Sequence, residues 1–314
     1  MVLVVLVVLA MLGSGCAAIA VASAPTHRPT PQTERGRALA EQFWSALHGG
    51  HYEQLDELLE LHARVALDEP SDPITISHLG WLHAWALAES ARAPKAAAVT
   101  FHIPLARRYF EEAVTLVPDE PRYLGFLASF TLAEGSVMAN ERVTRQGYFQ
   151  MKDAIAAWPE FNLFTSGYMV SAGPVDEHFR EGLEQQWQTL EVCFGSREVP
   201  TRAVFARETR QGHQRACWNS WIAPHNWEGF FLNFGDMLVR AGDLPRARQL
   251  YEAAKLSQTY GEWPYREVLE RRLSSLDELA PAIAAAPRGE VERTTMFNSS
   301  FACTGCHQGS GVPR

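Results

Sequence analysis

The chain has 314 residues, with 28 Lys and Arg against 36 Asp and Glu, a formal net charge of −8 at pH 7. That acidic balance excludes a nucleic-acid-binding surface, which needs a basic face. Hydrophobic residues make up 46% and charged residues 20%, with nine Trp, so the chain can bury a sizeable core and is neither disordered nor fibrous in composition.

Residues 1–16, MVLVVLVVLAMLGSGC, are apolar and uncharged and end in small residues and Cys16. The run is shorter than the roughly 20 residues a helix needs to cross a bilayer, and reads as the apolar part of an export signal. Its end, GSGC, resembles the bacterial lipoprotein signal, which implies lipidation at Cys16 and attachment to a membrane of the cell envelope, facing the periplasm or the exterior. Gly13 stands where that signal usually has Leu, and Leu12 is one position early. Plain secretion and an uncleaved anchor are the alternatives. Residues 17–35 are small, polar and proline-bearing, as a flexible tether is.

From 36 to 280 apolar residues recur every three or four positions and no long alternating run appears, so the predicted fold class is all-α. RALAEQFWSALHGG and HYEQLDELLELHARVALDEP predict two amphipathic helices split at Gly49 and Gly50, the second ending at Pro70. Further on a pattern repeats. Ala106, Phe110, Ala113 and Pro118 stand at the same steps as Gly147, Met151, Ala154 and Pro159, and Ala247, Tyr251 and Ala254 repeat the first three. Partner helices precede two of these copies, with Ile76, Leu79, Gly80 and His83 in one and Phe231, Phe234, Gly235 and Leu238 in the other; Gly242 marks the turn after the second. Small residues let two helices approach, an aromatic fills the gap, and proline ends the pair. These residues resemble the tetratricopeptide-repeat family, over about two-thirds of the chain. The resemblance implies a solenoid of helical hairpins whose surface docks a protein partner. The copies are unevenly spaced: Pro118 and Pro159 lie 159 − 118 = 41 positions apart, against about 34 in a regular array.

Residues 281–297 are Ala/Pro-rich and then polar, and read as a linker able to span at most ~55 Å. Residues 298–314 form a short irregular tail containing Cys303-Thr-Gly-Cys306-His307. This spacing resembles the haem-attachment site of c-type cytochromes. The resemblance implies one covalent haem c, with thioether bonds from Cys303 and Cys306 and His307 as proximal iron ligand. The usual cytochrome fold around the motif is absent, so any shelter must come from upstream. A redox dithiol, a zinc site and a structural disulfide are the competing readings; no thioredoxin-like context or second set of zinc ligands accompanies them. A second axial ligand must also come from upstream. His225 follows Pro224 amid Trp218, Trp221, Trp227 and Phe230 and is the first choice; Met296 is the second, followed by His78, His83, His102 and His213, and an open sixth position is the remaining possibility.

Five cysteines are present. With Cys16 and the terminal pair accounted for, Cys193 and Cys217 remain, either as two buried thiols or as a disulfide. As a disulfide they close a loop of about 25 residues, worth roughly 3 kcal/mol, and fit an oxidising compartment. No Gly-x-Ser-x-Gly, phosphate loop, His-Glu-x-x-His or paired carboxylates point to an enzyme. Two functions follow. One is an exported mono-haem protein relaying electrons to a partner on the repeat surface. The other is a membrane-tethered envelope scaffold with structural terminal cysteines and no haem.

Overall fold

The computed structural model describes Ser23 and residues 28–89, 98–171, 173–201, 212–217, 226–285, 295–297 and 299–308. Among these it has thirteen α-helices and no strand. In chain order they are α1 (Glu34–Gly49), α2 (Leu55–Asp68), α3 (Pro73–Ala88), α4 (Ala98–Leu116), α5 (Pro121–Val137), α6 (Glu141–Ala157), α7 (Pro159–Met169), α8 (Glu177–Phe194), α9 (Trp227–Arg240), α10 (Leu244–Ala254), α11 (Arg266–Ser274), α12 (Leu276–Ala285) and α13 (Thr304–His307). Cys16, Trp218, Trp221 and His225 lie outside the described residues.

The helix boundaries follow local chemistry. Thr33, Asp72, Glu120, Asn140, Asp176, Asn226 and Asp243 each place a side-chain oxygen on a backbone N–H of the first turn that follows. Proline occupies the first turn of α3, α5, α7 and α10, where its missing N–H costs nothing. Gly50 and Gly195 end α1 and α8 in the left-handed conformation that a Cβ resists.

Successive helices pack as hairpins: α3 with α4, α5 with α6, α7 with α8, and α9 with α10. The expected close approaches occur at the expected residues. A methyl on Gly80 would lie 2.7 Å from the Phe110 ring, and one on Gly235 would lie 2.2 Å from Tyr251. Both aromatics are fully buried. Gly242, at φ +84°, makes the turn between α9 and α10. Cys193 and Cys217 form a disulfide that ties the end of α8 to a short 3₁₀ turn, His213–Cys217.

The segment read as a linker starts inside α12 and ends in the core. Thr295 and Met296 are 4% and 0% exposed. The Met296 backbone N–H donates to Asp236 at 2.7 Å, and the same carboxylate accepts from Tyr251 (2.7 Å) and from Arg272 (2.9 Å). A buried acid with three donors is satisfied, so it fixes where the chain re-enters the helical body. From there the tail runs across the molecule, and α13 packs on both α1 and α9.

Two predictions follow from this packing. Gly235→Ala should force Tyr251 off its site and lower unfolding free energy by about 1–3 kcal/mol, read by urea denaturation. The second concerns pH. Burial holds His62 down to about 4 and His78 well below the usual range. Both are free to protonate near 6.5 in the unfolded chain. The unfolded state therefore binds the extra protons, and stability present above pH 6.5 is lost as pH falls toward 4, by up to ~1.4 kcal/mol per pH unit for each histidine. His78 stacks on Phe43 at 4.3 Å. His78→Phe keeps that contact and should flatten the slope between pH 4.5 and 6.5 by one proton's worth.

Candidate functional site

The terminal motif is a seated turn. Residues Thr304–His307 make a single helical turn, too short to hold together alone. Its polar groups are held by distant residues. Glu89, wholly buried just after α3, accepts from both the Thr304 N–H and the Thr304 hydroxyl, each at 2.9 Å. Trp263 donates its indole N–H to the Gly305 carbonyl at 2.9 Å. The Asn226 N–H donates to the Cys306 carbonyl at 2.7 Å, and its side-chain amide donates to the Gln308 carbonyl at 3.0 Å. Gln308 in turn donates to the Gly49 carbonyl at the end of α1. Tyr168 donates to the Ala302 carbonyl at 3.1 Å.

Two glycines allow this seat. A Cβ on Gly229 of α9 would lie 2.5 Å from the Gly305 oxygen and 2.7 Å from the Cys306 sulfur. A Cβ on Gly305 itself would lie 2.6 Å from the Met296 terminal methyl. Met296 thus packs beneath the turn.

Above the turn lies a cleft. Cys303, Cys306 and His307 form one wall together with Ala302 and Phe297. The other walls come from α1, α3, α5 and α7: Phe43, Trp44, Trp81, Trp85, Phe126 and Phe164 are its main aromatic faces. Counted with the open space at its mouth, the cavity amounts to about 1040 Å³. No Asp, Glu, Lys or Arg lines it among the described residues. Trp85, 1% exposed, keeps a buried indole N–H that meets no acceptor among the described residues. An apolar slot with a few convergent polar groups is the usual form of a cofactor site.

The chemistry of the cysteines narrows what the slot can hold. Cys303 and Cys306 are free thiols. Burial pushes both up from the ordinary thiol range, with Glu89 and Cys306 adding to the effect on Cys303 and Glu228 to that on Cys306. A dithiol working by exchange needs the opposite, a lowered pKa and exposure. No group of three or more His, Cys, Asp or Glu able to hold a metal ion occurs among the described residues. Two neutral thiols and an imidazole on one wall of an aromatic slot do fit a flat macrocycle attached by its edge.

The other histidines named from sequence sit elsewhere. His83 and His102 pair through their Nδ1 atoms at 2.9 Å. His78 stacks on Phe43, and His213 gives its carbonyl to the Trp158 indole. None of the four lines the slot. The histidine the sequence reading missed is His48. Its ring lies nearly parallel to that of His307, centres 6.1 Å apart, and its Nε2 is buried without a partner among the described residues. Burial holds His48 down to about 4, so it is a neutral neighbour at physiological pH. The stripe Trp44–Leu47–His48 on one face of α1, ending at Gly49-Gly50, was the available signal. Glu89 gave none.

A wider groove over α8 and α10 is lined by Trp187, Arg197, Arg246, Glu252 and Lys255. Charges there pair with one another, Arg197 with Glu184 and Lys255 with Glu252. No motif residue reaches it.

Removing Glu89 should loosen the turn selectively. Glu89→Ala leaves a buried N–H and hydroxyl unmet, a loss of about 2 kcal/mol, or roughly 30-fold faster hydrogen exchange at the 304–308 amides. Glu89→Gln keeps an acceptor and should restore most of the protection. Set beside known proteins, the chain matches no family model, no curated protein and no solved structure.

Proposed function

We propose that this is an exported protein carrying one haem c, bound through Cys303 and Cys306 with His307 as an axial iron ligand, and that it passes single electrons to a protein partner. The observation that carries this reading is the placing of two free thiols and one imidazole together on a wall of an aromatic slot. Attachment needs no oxidant: each S–H adds across one vinyl C=C, sulfur to one carbon and hydrogen to the other. The haem, when bound, supplies the one-electron chemistry; the chain sets its surroundings. Burial keeps the thiols protonated and in place. Glu89 holds the turn that carries Cys306 and follows Cys303, and the rings of Phe43, Trp44, Trp81 and Phe164 give the slot apolar walls.

The helical hairpins support a tetratricopeptide-like scaffold, on which the Gly80–Phe110 and Gly235–Tyr251 contacts play the parts that family gives them. Such a scaffold presents a docking surface, and the partner's class is a redox protein. No described helix is long and apolar enough to cross a membrane. Attachment to a membrane is assigned to lipid on Cys16 from the sequence signal alone. The competing reading, a haem-free envelope scaffold, needs the terminal cysteines to be structural; among the described residues both thiols are free.

Expression in a host with c-type haem maturation decides between the two. The protein should keep its haem after denaturation, and the Cys303→Ala/Cys306→Ala double variant should lose the colour while keeping most of its helical circular dichroism. A wild-type product that is colourless after maturation would leave only the scaffold.

A further inference from the structure

We propose that His48, at the C-terminal end of α1, is the second axial ligand of the iron held by His307, so that one imidazole comes from the first helix and the other from the last turn. This rests on the covalent-haem reading. The placing of the two rings carries it. They lie 16° from parallel, with their centres 6.1 Å apart. A histidine nitrogen bonds a metal at about 2 Å and its ring centre lies about 1 Å beyond, so two imidazoles on opposite sides of one metal have centres about 6 Å apart. The observed separation is the one that a shared metal requires.

His48 also has a nitrogen to give. Its Nε2 is buried and meets no hydrogen-bond partner among the described residues. A buried polar atom without a partner costs the fold free energy, and coordination to a metal removes that cost. The ring is oriented by Trp44, one turn earlier on α1, at 5.4 Å between centres. Trp44 and Leu47, the residue before His48, both line the slot that Cys303, Cys306 and His307 wall. His48 therefore stands at the border of that cavity.

The residues that follow each histidine hold the pair in step. Gln308, next after His307, donates its side-chain amide to the carbonyl of Gly49, next after His48, at 3.1 Å. The Gln308 side-chain oxygen accepts from the Tyr265 hydroxyl at 3.0 Å, which fixes the amide from the other side. Gly50 makes the approach possible. Its φ is +73°, and a Cβ there would lie 2.5 Å from the Gln308 oxygen. The end of α1 is thus shaped to receive the residue that follows the motif histidine.

Met296 is placed for packing instead. Its terminal methyl ends against Gly305, and its backbone N–H is held by Asp236. His83 and His102 pair with each other, and His78 stacks on Phe43. His225 lies outside the described residues, so the experiment includes it. Two imidazoles supplied by separate, anchored elements keep the same ligand set in both oxidation states, which suits a one-electron relay.

The test uses the matured full-length protein and begins with haem retention after denaturation. The expected protein is low-spin in both oxidation states. Its ferric electron paramagnetic resonance signal should be rhombic, as imidazole planes close to parallel give, rather than the strongly anisotropic signal of perpendicular planes. His48→Ala and His48→Phe should each become high-spin when reduced, and bind carbon monoxide on the order of ten-fold or more tightly than the parent protein. Added imidazole should return His48→Ala to low spin. His48→Phe keeps a ring against Trp44, so a change there reports the lost nitrogen and not lost packing; it carries the test if the alanine variant fails to fold. His225→Ala should leave spin state and resonance signal unchanged. A high-spin parent protein, or a low-spin signal that survives in the His48 variants, overturns the inference and leaves the covalent-haem reading intact; loss of that signal in His225→Ala would then name the other ligand. Absence of retained haem removes the parent reading, and this inference with it.

Discussion

The structure depends on a buried carboxylate at the end of α3. Glu89 has no contact with water and spends one oxygen on both the N–H and the hydroxyl of Thr304, 215 positions away in sequence. Hydrogen bonds to a charged acceptor in a low-dielectric interior are about twice as strong as neutral ones, and a carboxylate buried without them would be prohibitive. The arrangement therefore works in one register only. If the tail lay a residue out of place, Glu89 would face apolar side chains. Asp236 imposes a second fixed point, ten residues before Cys306, by taking the Met296 N–H together with Arg272 and Tyr251. Between these two anchors the turn Thr304–His307 has no freedom to hang in solvent. A one-turn helix that would never form in isolation is held by the body it closes.

That seat explains which parts of the molecule could be read from the sequence. Contacts within a hairpin are local and leave a periodic mark. Gly80 against Phe110 and Gly235 against Tyr251 were visible because the small and aromatic positions recur at fixed offsets. The Cys193–Cys217 bridge was visible by counting. The partners of the terminal motif were not, since they come from four helices spread along the chain and share no spacing. Trp44, Trp81, Trp85 and Phe126 belong to the hydrophobic clusters and line the slot as well. Met296, the second choice of axial ligand from sequence, has its side chain against Gly305 and its backbone N–H on Asp236. His48 was passed over because nothing in sequence says that the first helix meets the last turn.

The electrostatics of the seat bear on what a haem there would do. Glu89 lies against the Cys303 side of the turn, and Glu228, also wholly buried, against the Cys306 side. Were the proposed haem bound there, ionised acids beside the turn would favour the oxidised iron and so a lower reduction potential. The apolar slot acts in the other direction, since it penalises net charge on the iron. Which effect would prevail depends on how far each acid lies from the iron.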